Sequence, residues 1–491
     1  MYWKYRFAIV VAVSALIGIA PGFVGFAAPF KQAPLGVSQN NTHLRDKCSS
    51  IIIGKKLTAD RSVILAHNED LGNYSAHHYV YILQAKHAAG EIAPTLFTAN
   101  VPQVSETYAY TGTKIFDIKY FPGDVTSGIN EYQVAVVNNA SYRRDAPDPL
   151  PKDGRIIWTE FTKFALERAK TAEEAVQVIG TLASKYKLGA DSGTMFGVTD
   201  PNDAWWVEVT LDGQWVAQRV KDDDASVRAN IFRIGVVDFK SADFKYSEDL
   251  VSYAQKQGWY DPKDPFDFTK VYAAPEKVDS EYNTLREKRV MELLKPSAAA
   301  RSVTPVLIMS ILRDHYENTS SPYPDFTYGH TQGSPHQTDE RTVCRIDTEV
   351  SVVIQSRGWL PADIGALSWR AMATPCTSIY TPWYLGSLRI PQEYQTGGSQ
   401  FTKSSAYWSA RNLSKSVDMR YGNTVVGKLQ KIRGEFERKE FDSQKTIEDK
   451  ALELYRQSPG KARAYLTEYS SEMAKKAMEN INRLYKYSEK N

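Results

Sequence analysis

The sequence predicts an α+β protein of layered sheet and helix. Three observations carry this. Runs of strand-like residues between residues 50 and 355 are broken by helical segments, in an order that favours mixed layers. No Gly-x-Gly-x-x-Gly follows any strand, which argues against a dinucleotide-binding doubly wound sheet. After Gln400 the apolar spacing becomes helical.

Taken in order, the 491-residue chain opens on a targeting pattern. Lys4 and Arg6 precede an apolar run from Phe7 to Ala20, Pro21 and Gly22 break it, and Gly25-Phe26-Ala27 offers a small-residue cleavage site. Residues 1–27 thus have the form of a secretory signal peptide, short for a comfortable transmembrane helix, with an uncleaved signal anchor as the alternative. Residues 28–47 are polar, contain Pro29 and Pro34, and read as a pro-segment.

Two apolar segments, Ser50–Ile53 and Ser62–Ala66, then flank the polar turn Lys55–Arg61. They form a hairpin that starts just after Cys48 and ends in His67-Asn68-Glu69-Asp70. Val134–Asn138 is a strand after a turn at Gly128, and Trp158–Ala169 has helical spacing. Thr171 to Glu174 is a capping box opening a second helix. Ala204–Thr210 and Gln214–Val220 pair around Leu211-Asp212-Gly213. Trp205, Trp206 and Trp215 are core residues, and His77-His78 is a strand or surface pair.

Residues 240–300 read as mainly helical, Ser320–Asp339 as a loop, Thr342–Gln355 as a strand and Ile364–Met372 as a helix. Two long helices close the chain, one through Leu429, Ile432 and Phe436 and one from Tyr465 to Leu484, separated by Pro459-Gly460. Residues 48–400 therefore form a main domain and residues 401–491 a helical extension packed on it.

A net charge of +3 and the lack of a basic stripe with interleaved aromatics give no electrostatic case for nucleic acid. Asn40, Asn73, Asn139, Asn318 and Asn412 begin Asn-x-Ser/Thr triplets, which matter only in a eukaryotic secretory route. There is no Cys-x-x-Cys and no His-Glu-x-x-His, and no metal or other cofactor is expected.

The three cysteines are Cys48, Cys344 and Cys376, an odd number for an exported chain. If Cys344 and Cys376 pair, Cys48 is the free thiol. Cys48 lies about 20 residues past a signal cleavage site, at the start of a strand. Were the Lys47–Cys48 bond cut, one residue would carry both a nucleophilic thiol and an α-amine base of pKa near ~7.7–8. The residues alone also allow Cys48 to be a core or disulfide cysteine.

At this point the sequence resembles the cysteine-type dipeptidase A family of the N-terminal-nucleophile hydrolases, related to secernins and more distantly to penicillin V acylases and bile salt hydrolases. Four stretches carry the match: Cys48–Lys56 with Ala66–Asp70; Gly128–Glu131 with Val134–Asn139; Gly193–Asp200, Ala204–Glu208, Gln214–Val220 and Arg228–Phe232; and Gly333–Gln337, Arg341–Arg345 and Leu360–Pro382. They span about residues 48–390 in a shared order.

The resemblance implies a four-layer αββα sandwich, self-processing before Cys48 and hydrolysis of dipeptide amide bonds. It makes Cys48 the nucleophile, Asp70 the group that holds the α-amine or thiol, and Asn230 an oxyanion donor. Asn138 or Asn139 would be a second donor. Arg286 would orient the nucleophile, with Arg289 competing for that assignment. Without the resemblance, Asp70 reads as a turn residue, Asn230 as a strand cap and Arg286 as a helix-surface charge. The related acylases carry an arginine where His67 stands, which counts against acylase activity and leaves the role of His67 open.

The expected ligand is a dipeptide or small amide, with no nucleic-acid partner and no membrane contact once the signal is removed; a homo-oligomer is left open. Export would end outside the cell, in a periplasm or in a lysosome-like compartment. The alternatives are an N-acyl amidase and a catalytically silent binding protein on the same fold.

Overall fold

The computed structural model describes residues 48–72, 75–116, 124–144, 152–319, 334–336, 341–420 and 423–490. The expected signal peptide and pro-segment (residues 1–47) and most of the expected Ser320–Asp339 loop lie outside the described residues.

The chain enters the fold at Cys48. β1 (Ser49–Ile53) and β2 (Val63–Asp70) form the expected antiparallel hairpin. β3 (His77–Ile82) follows and takes in His77-His78. β4 (Ala85–Lys86), β5 (Ile92–Ala93), β6 (Val101–Pro102) and β7 (Glu106–Thr107) are two-residue ribbons, β4 paired with β7 and β5 with β6. β8 (Tyr110–Ile115), β9 (Ser127–Asn130) and β10 (Ala135–Ser141) then run antiparallel to their neighbours.

Gly128 is not a turn residue, as its spacing had suggested, but lies within β9. A Cβ there would come within 2.7 Å of Leu166 Cδ1 and 2.8 Å of Thr111 O, so close packing requires the glycine. The chain reverses one step later, where Gln133 has a φ of 64° and Asn130 Oδ1 accepts from Tyr132 N and Val134 N.

Helices α1 (Trp158–Arg168) and α2 (Ala172–Tyr186) come next. Thr171 caps α2 by accepting from Glu174 N at 3.1 Å, while the Glu174 carboxylate reaches Lys170 N rather than closing the box on Thr171. β11 (Gly193–Thr199), β12 (Ala204–Val209), β13 (Trp215–Arg219) and β14 (Ala225–Arg228) follow, and Trp205, Trp206 and Trp215 are buried. β15 (Phe244–Tyr246) interrupts the stretch expected to be helical before α3 (Leu250–Lys256), α4 (Phe268–Tyr272), α5 (Pro275–Val278), α6 (Glu281–Ala299) and α7 (Pro305–Ile311).

β16 (Thr348–Ser356) precedes a one-turn α8 (Ala362–Gly365), then β17 (Leu367–Met372) and β18 (Thr381–Tyr384). The expected Ile364–Met372 helix is thus mostly strand. Ile364, Leu367 and Ala371 fit a helical period, but Leu367, Trp369 and Ala371 also alternate, and all three pack on one face of the sheet. α9 (Ala406–Met419), α10 (Asn423–Gln457) and α11 (Pro459–Ser488) complete the chain, with Pro459 at the first turn of α11.

Six strands form one antiparallel sheet in the order β14-β1-β2-β16-β17-β18; eight form a second in the order β15-β13-β12-β11-β10-β9-β8-β3. Ile52, Leu65, Val352 and Ile354 of the first pack against Ile129, Val137, Met195 and Trp206 of the second, so the sheets stack face to face. Ile51, Ile53, Ile64 and Ala66 point the other way, into a layer that includes Val290, Leu294, Ile308 and Leu466 of the helices. The outer face of the second sheet is covered by Phe161, Phe164, Val176 and Ile179 of α1 and α2.

The fold is therefore the expected α+β arrangement, with four layers αββα. Burial on both faces explains why Ile51–Ile53 is an unbroken apolar run rather than an alternating one. The C-terminal helices share a core with the first sheet through Val350, Met372, Ala410, Leu413 and Ile481. Among the described residues, no helix is long and apolar enough to cross a membrane.

Candidate active site

Cys48 sits at the head of β1, 3 % exposed. The hairpin register pairs Ser49 with Asn68 and Ser50 with His67, so Cys48 faces Glu69 one step further along. Alternation then puts Cys48, Ser50, His67 and Glu69 on the face that looks toward the second sheet, with Ile52 and Leu65.

The contacts follow that register. Cys48 Sγ donates to Glu69 Oε1 at 3.8 Å, and Asp70 N–H donates to Cys48 Sγ at 3.4 Å. Glu69 Oε2 lies 3.0 Å from His67 Nε2, and His67 Nδ1 lies 2.7 Å from Ser50 Oγ. Ser50 Oγ donates to Asn139 Oδ1, whose amide is oriented by Nδ2 bonds to Arg228 O and Ala229 O. With its proton committed to Asn139, Ser50 accepts from His67 Nδ1–H. His67 Nε2 and Glu69 Oε2 are hydrogen-bonded in turn, so a continuous buried row runs Cys48–Glu69–His67–Ser50–Asn139.

Asp70 has the opposite parity. Its Oδ1 accepts from Thr348 Oγ1 at 2.6 Å, and its buried Oδ2 has no hydrogen-bond partner. Burial pushes the carboxyl up to about 7, with Asp347 adding to the rise; the Thr348 hydrogen bond and the charges of Arg345 and Arg286 pull against it.

Arg286 is fully buried, which rules out a helix-surface charge. From α6, its Nη1 donates to Cys48 O at 3.1 Å and its Nη2 to Asn230 Oδ1 at 2.6 Å. Asn230 Nδ2 makes one hydrogen bond, to Ala140 O at 3.0 Å. Arg341 also donates to Asn230 Oδ1, at 3.2 Å, and to Asn283 Oδ1. Burial, reinforced by neighbouring Arg286, pulls the Arg341 guanidinium down to about 9. Arg289 lies elsewhere, in a two-pronged pair with Asp314 at 2.9 and 2.8 Å.

The structure thus gathers Cys48, Asp70, Asn230 and Arg286, and separates Arg289 from them. Asn138 and Asn139 are spent as donors: Asn138 Nδ2 bonds Thr126 O and Thr162 Oγ1, and Asn139 Nδ2 bonds two carbonyls. Sequence reasoning passed over Glu69, Ser50 and Arg341. Counting residues back from the hairpin turn would have placed Glu69, rather than Asp70, across from Cys48.

Cys48, His67 and Glu69 also bring ligand-type atoms within 4.8 Å of one another, but the hydrogen bonds above already engage them.

Residues 47–433 match the model of peptidase family C69. The chain belongs to that family. Its relatives include a probable dipeptidase of Latilactobacillus sakei, 25% identical over 450 residues that cover 87% of this chain and 91% of the relative. A probable dipeptidase of Salmonella dublin is 28% identical over 381 residues, 71% of this chain and 82% of the relative. Among solved structures, penicillin V acylase from Agrobacterium tumefaciens aligns at a TM-score of 0.37 and 16% identity, covering 71% of this chain and 89% of that one. The family resemblance read from the residues is borne out, and the expectation of a cysteine-type dipeptidase agrees with these relatives. The matched range begins one residue before Cys48, so the site lies wholly within the C69 region.

Proposed function

We propose that this C69 peptidase is an exported dipeptidase that acts through Cys48 after the Lys47–Cys48 bond is cut. The observation that carries the reading is the position of Cys48: buried at the head of β1, held by Asp70 N–H, with its carbonyl held by Arg286.

In the proposed cycle the thiol attacks the dipeptide carbonyl and its proton passes to the free α-amine of Cys48. Asn230 and backbone N–H groups hold the oxyanion. Asn230 suits this because one amide hydrogen is uncommitted and two guanidiniums polarise its carbonyl. The protonated amine gives its proton to the leaving amine as the C–N bond breaks. Water then releases the acyl group, and the thiol regains its proton. Asp70 Oδ2, buried without a hydrogen-bond partner, is an acceptor for the α-ammonium of the mature enzyme.

Before the cut, Cys48 has no free amine. Glu69 Oε1 is then a carboxylate acceptor already in contact with the thiol, which suits Glu69 to the processing step.

The test is N-terminal sequencing of the mature chain together with a substrate panel. The expected result is a start at Cys48 and hydrolysis of dipeptides. A start at Ala28 or Pro29 with full dipeptidase activity would overturn the N-terminal-nucleophile mechanism. Hydrolysis of acyl amides but not of dipeptides would overturn the substrate class.

A further inference from the structure

Four side chains that the hydrolytic chemistry does not use converge at a second place. His315 follows α7, His336 lies on the connection toward β16, Cys344 precedes β16 and Cys376 follows β17. One nitrogen or sulfur from each lies within 4.8 Å of the others. His336 Nε2 is 3.0 Å from His315 Nε2, 3.7 Å from Cys344 Sγ and 3.5 Å from Cys376 Sγ. Around a tetrahedral zinc ion with ordinary bond lengths, the ligand–ligand edges are about 3.8 Å for S–S, about 3.6 Å for S–N and about 3.3 Å for N–N. The observed S–N separations match, and the N–N separation is slightly short.

The orientation of the imidazoles is a second, independent observation. His315 Nδ1 is 2.8 Å from Glu317 Oε1, and His336 Nδ1 is 2.9 Å from Asp418 Oδ1. Carboxylates accept, so each Nδ1 carries a hydrogen and each ring turns its Nε2 toward the other, with His336 Nε2 also facing both cysteine sulfurs. Without a metal, one ring proton shared between the two Nε2 atoms would account for their 3.0 Å approach, and a bound cation would take that proton's place. A carboxylate behind each imidazole is the arrangement that orients metal-ligating histidines.

We propose that His315, His336, Cys344 and Cys376 bind one zinc-class dication in a closed tetrahedral site. Thiolates and imidazoles together select such an ion over magnesium or calcium. Each thiol releases its proton to solvent on binding, and the two thiolates balance the charge of the ion. Four protein ligands leave no position for substrate, so the role is structural. His315 and Cys344 are buried, and a cleft bounded by Pro335, Thr377 and Leu429 gives an ion a way in.

The ion would tie together segments that also support the catalytic hairpin. Asn68, between His67 and Glu69, donates through Nδ2 to Leu312 O at 3.0 Å and Val343 O at 2.9 Å. Leu312 and Val343 are close neighbours in sequence of His315 and Cys344. The four ligands come singly from separate connections, which is why no short metal-binding motif marks them. A Cys344–Cys376 disulfide is the competing use of the thiols. The structure has both cysteines reduced.

Elemental analysis of the full chain, purified with reducing agent and zinc, should give one zinc per chain. X-ray absorption at the zinc edge should show two sulfur and two nitrogen ligands. Cobalt substitution should give thiolate charge-transfer absorption that Cys376→Ser abolishes and His336→Cys retains. Asp418→Asn, which keeps all four ligands, should weaken zinc binding by about 10–100-fold. The proposal is overturned if the reduced protein takes up no metal, if uptake is unchanged in Cys376→Ser, or if peptide mapping finds Cys344 and Cys376 disulfide-bonded in metal-free protein. None of these readouts depends on peptidase activity.

Discussion

Cys48 Sγ and Glu69 Oε1 lie 3.8 Å apart because the β1–β2 register sets them across from each other. The same carboxylate touches His67 through its other oxygen. It is thus held in place and linked onward to Ser50 and Asn139. In the proposed maturation, a group so fixed can take the thiol proton while Cys48 still lacks a free α-amine. Glu69→Gln keeps the shape and removes the acceptor. It is expected to slow cleavage before Cys48 by about 10²–10⁴-fold, the range for loss of a positioned base. Intact-mass time courses on freshly made chain measure this. Maturation at the parental rate would reduce Glu69 to a packing role.

Cys48→Ala removes the proposed nucleophile of both proposed steps. The variant should retain residues ahead of position 48 and lose at least about 10³-fold in kcat/KM on dipeptides. Cys48 is small and its Sγ makes weak contacts, so the thermal midpoint should change little. Cleavage before residue 48 in the Cys48→Ala chain would show that another protease makes the cut.

Asp70 gives a pH signature. In the uncleaved chain its buried carboxyl is raised to about 7, above the unfolded value of about 3.9. Between these two values the native state holds a proton that the unfolded state has released. This group's contribution is therefore fully present below about pH 4 and is lost as pH rises toward about 7. In a Cys48→Ala background, Asp70→Asn should gain stability relative to Asp70 across that window. Urea midpoints at its two ends measure the difference. A constant difference between the two chains would mean that Asp70 does not titrate there. In the mature enzyme an ammonium beside Oδ2 should abolish or invert the trend.

The layers were legible in the sequence because the apolar runs are long and strongly patterned. Ser50–Ile53 and Ser62–Ala66 read as strands because a polar turn separates two short apolar runs, and the spacing from Tyr465 to Leu484 reads as a helix. Ile364–Met372 was misjudged because its apolar residues fit both periods, and the adjacent strand decided the matter through pairing with β16. Cys48 and Asp70 stood out by position. Glu69 did not, because parity along β2 emerges only from the register. Arg341 and the His315–His336–Cys344–Cys376 cluster depend on contacts between segments far apart in the chain, which no local pattern encodes.

Arg286 and Arg289 are one helical turn apart yet do different work, and a matched pair of substitutions separates them. Arg286 bridges Cys48 O and Asn230 Oδ1, and both partners are buried. A lysine cannot span two acceptors set at the width of a guanidinium fork. Arg286→Lys should therefore leave one of them unsatisfied, misplace Cys48 or Asn230, and lower kcat by roughly 10–100-fold, as loss of one charged hydrogen bond of about 1.5–3 kcal/mol would. Arg289→Lys loosens the pair with Asp314 instead. It should lower the urea midpoint and leave kcat within about twofold, because the Asp314 contact lies outside the Cys48 row. Equal losses of kcat in the two variants would mean that Arg286 acts through general stability alone. An Arg286→Lys defect that persists at temperatures where both proteins are fully folded would place its effect at the nucleophile.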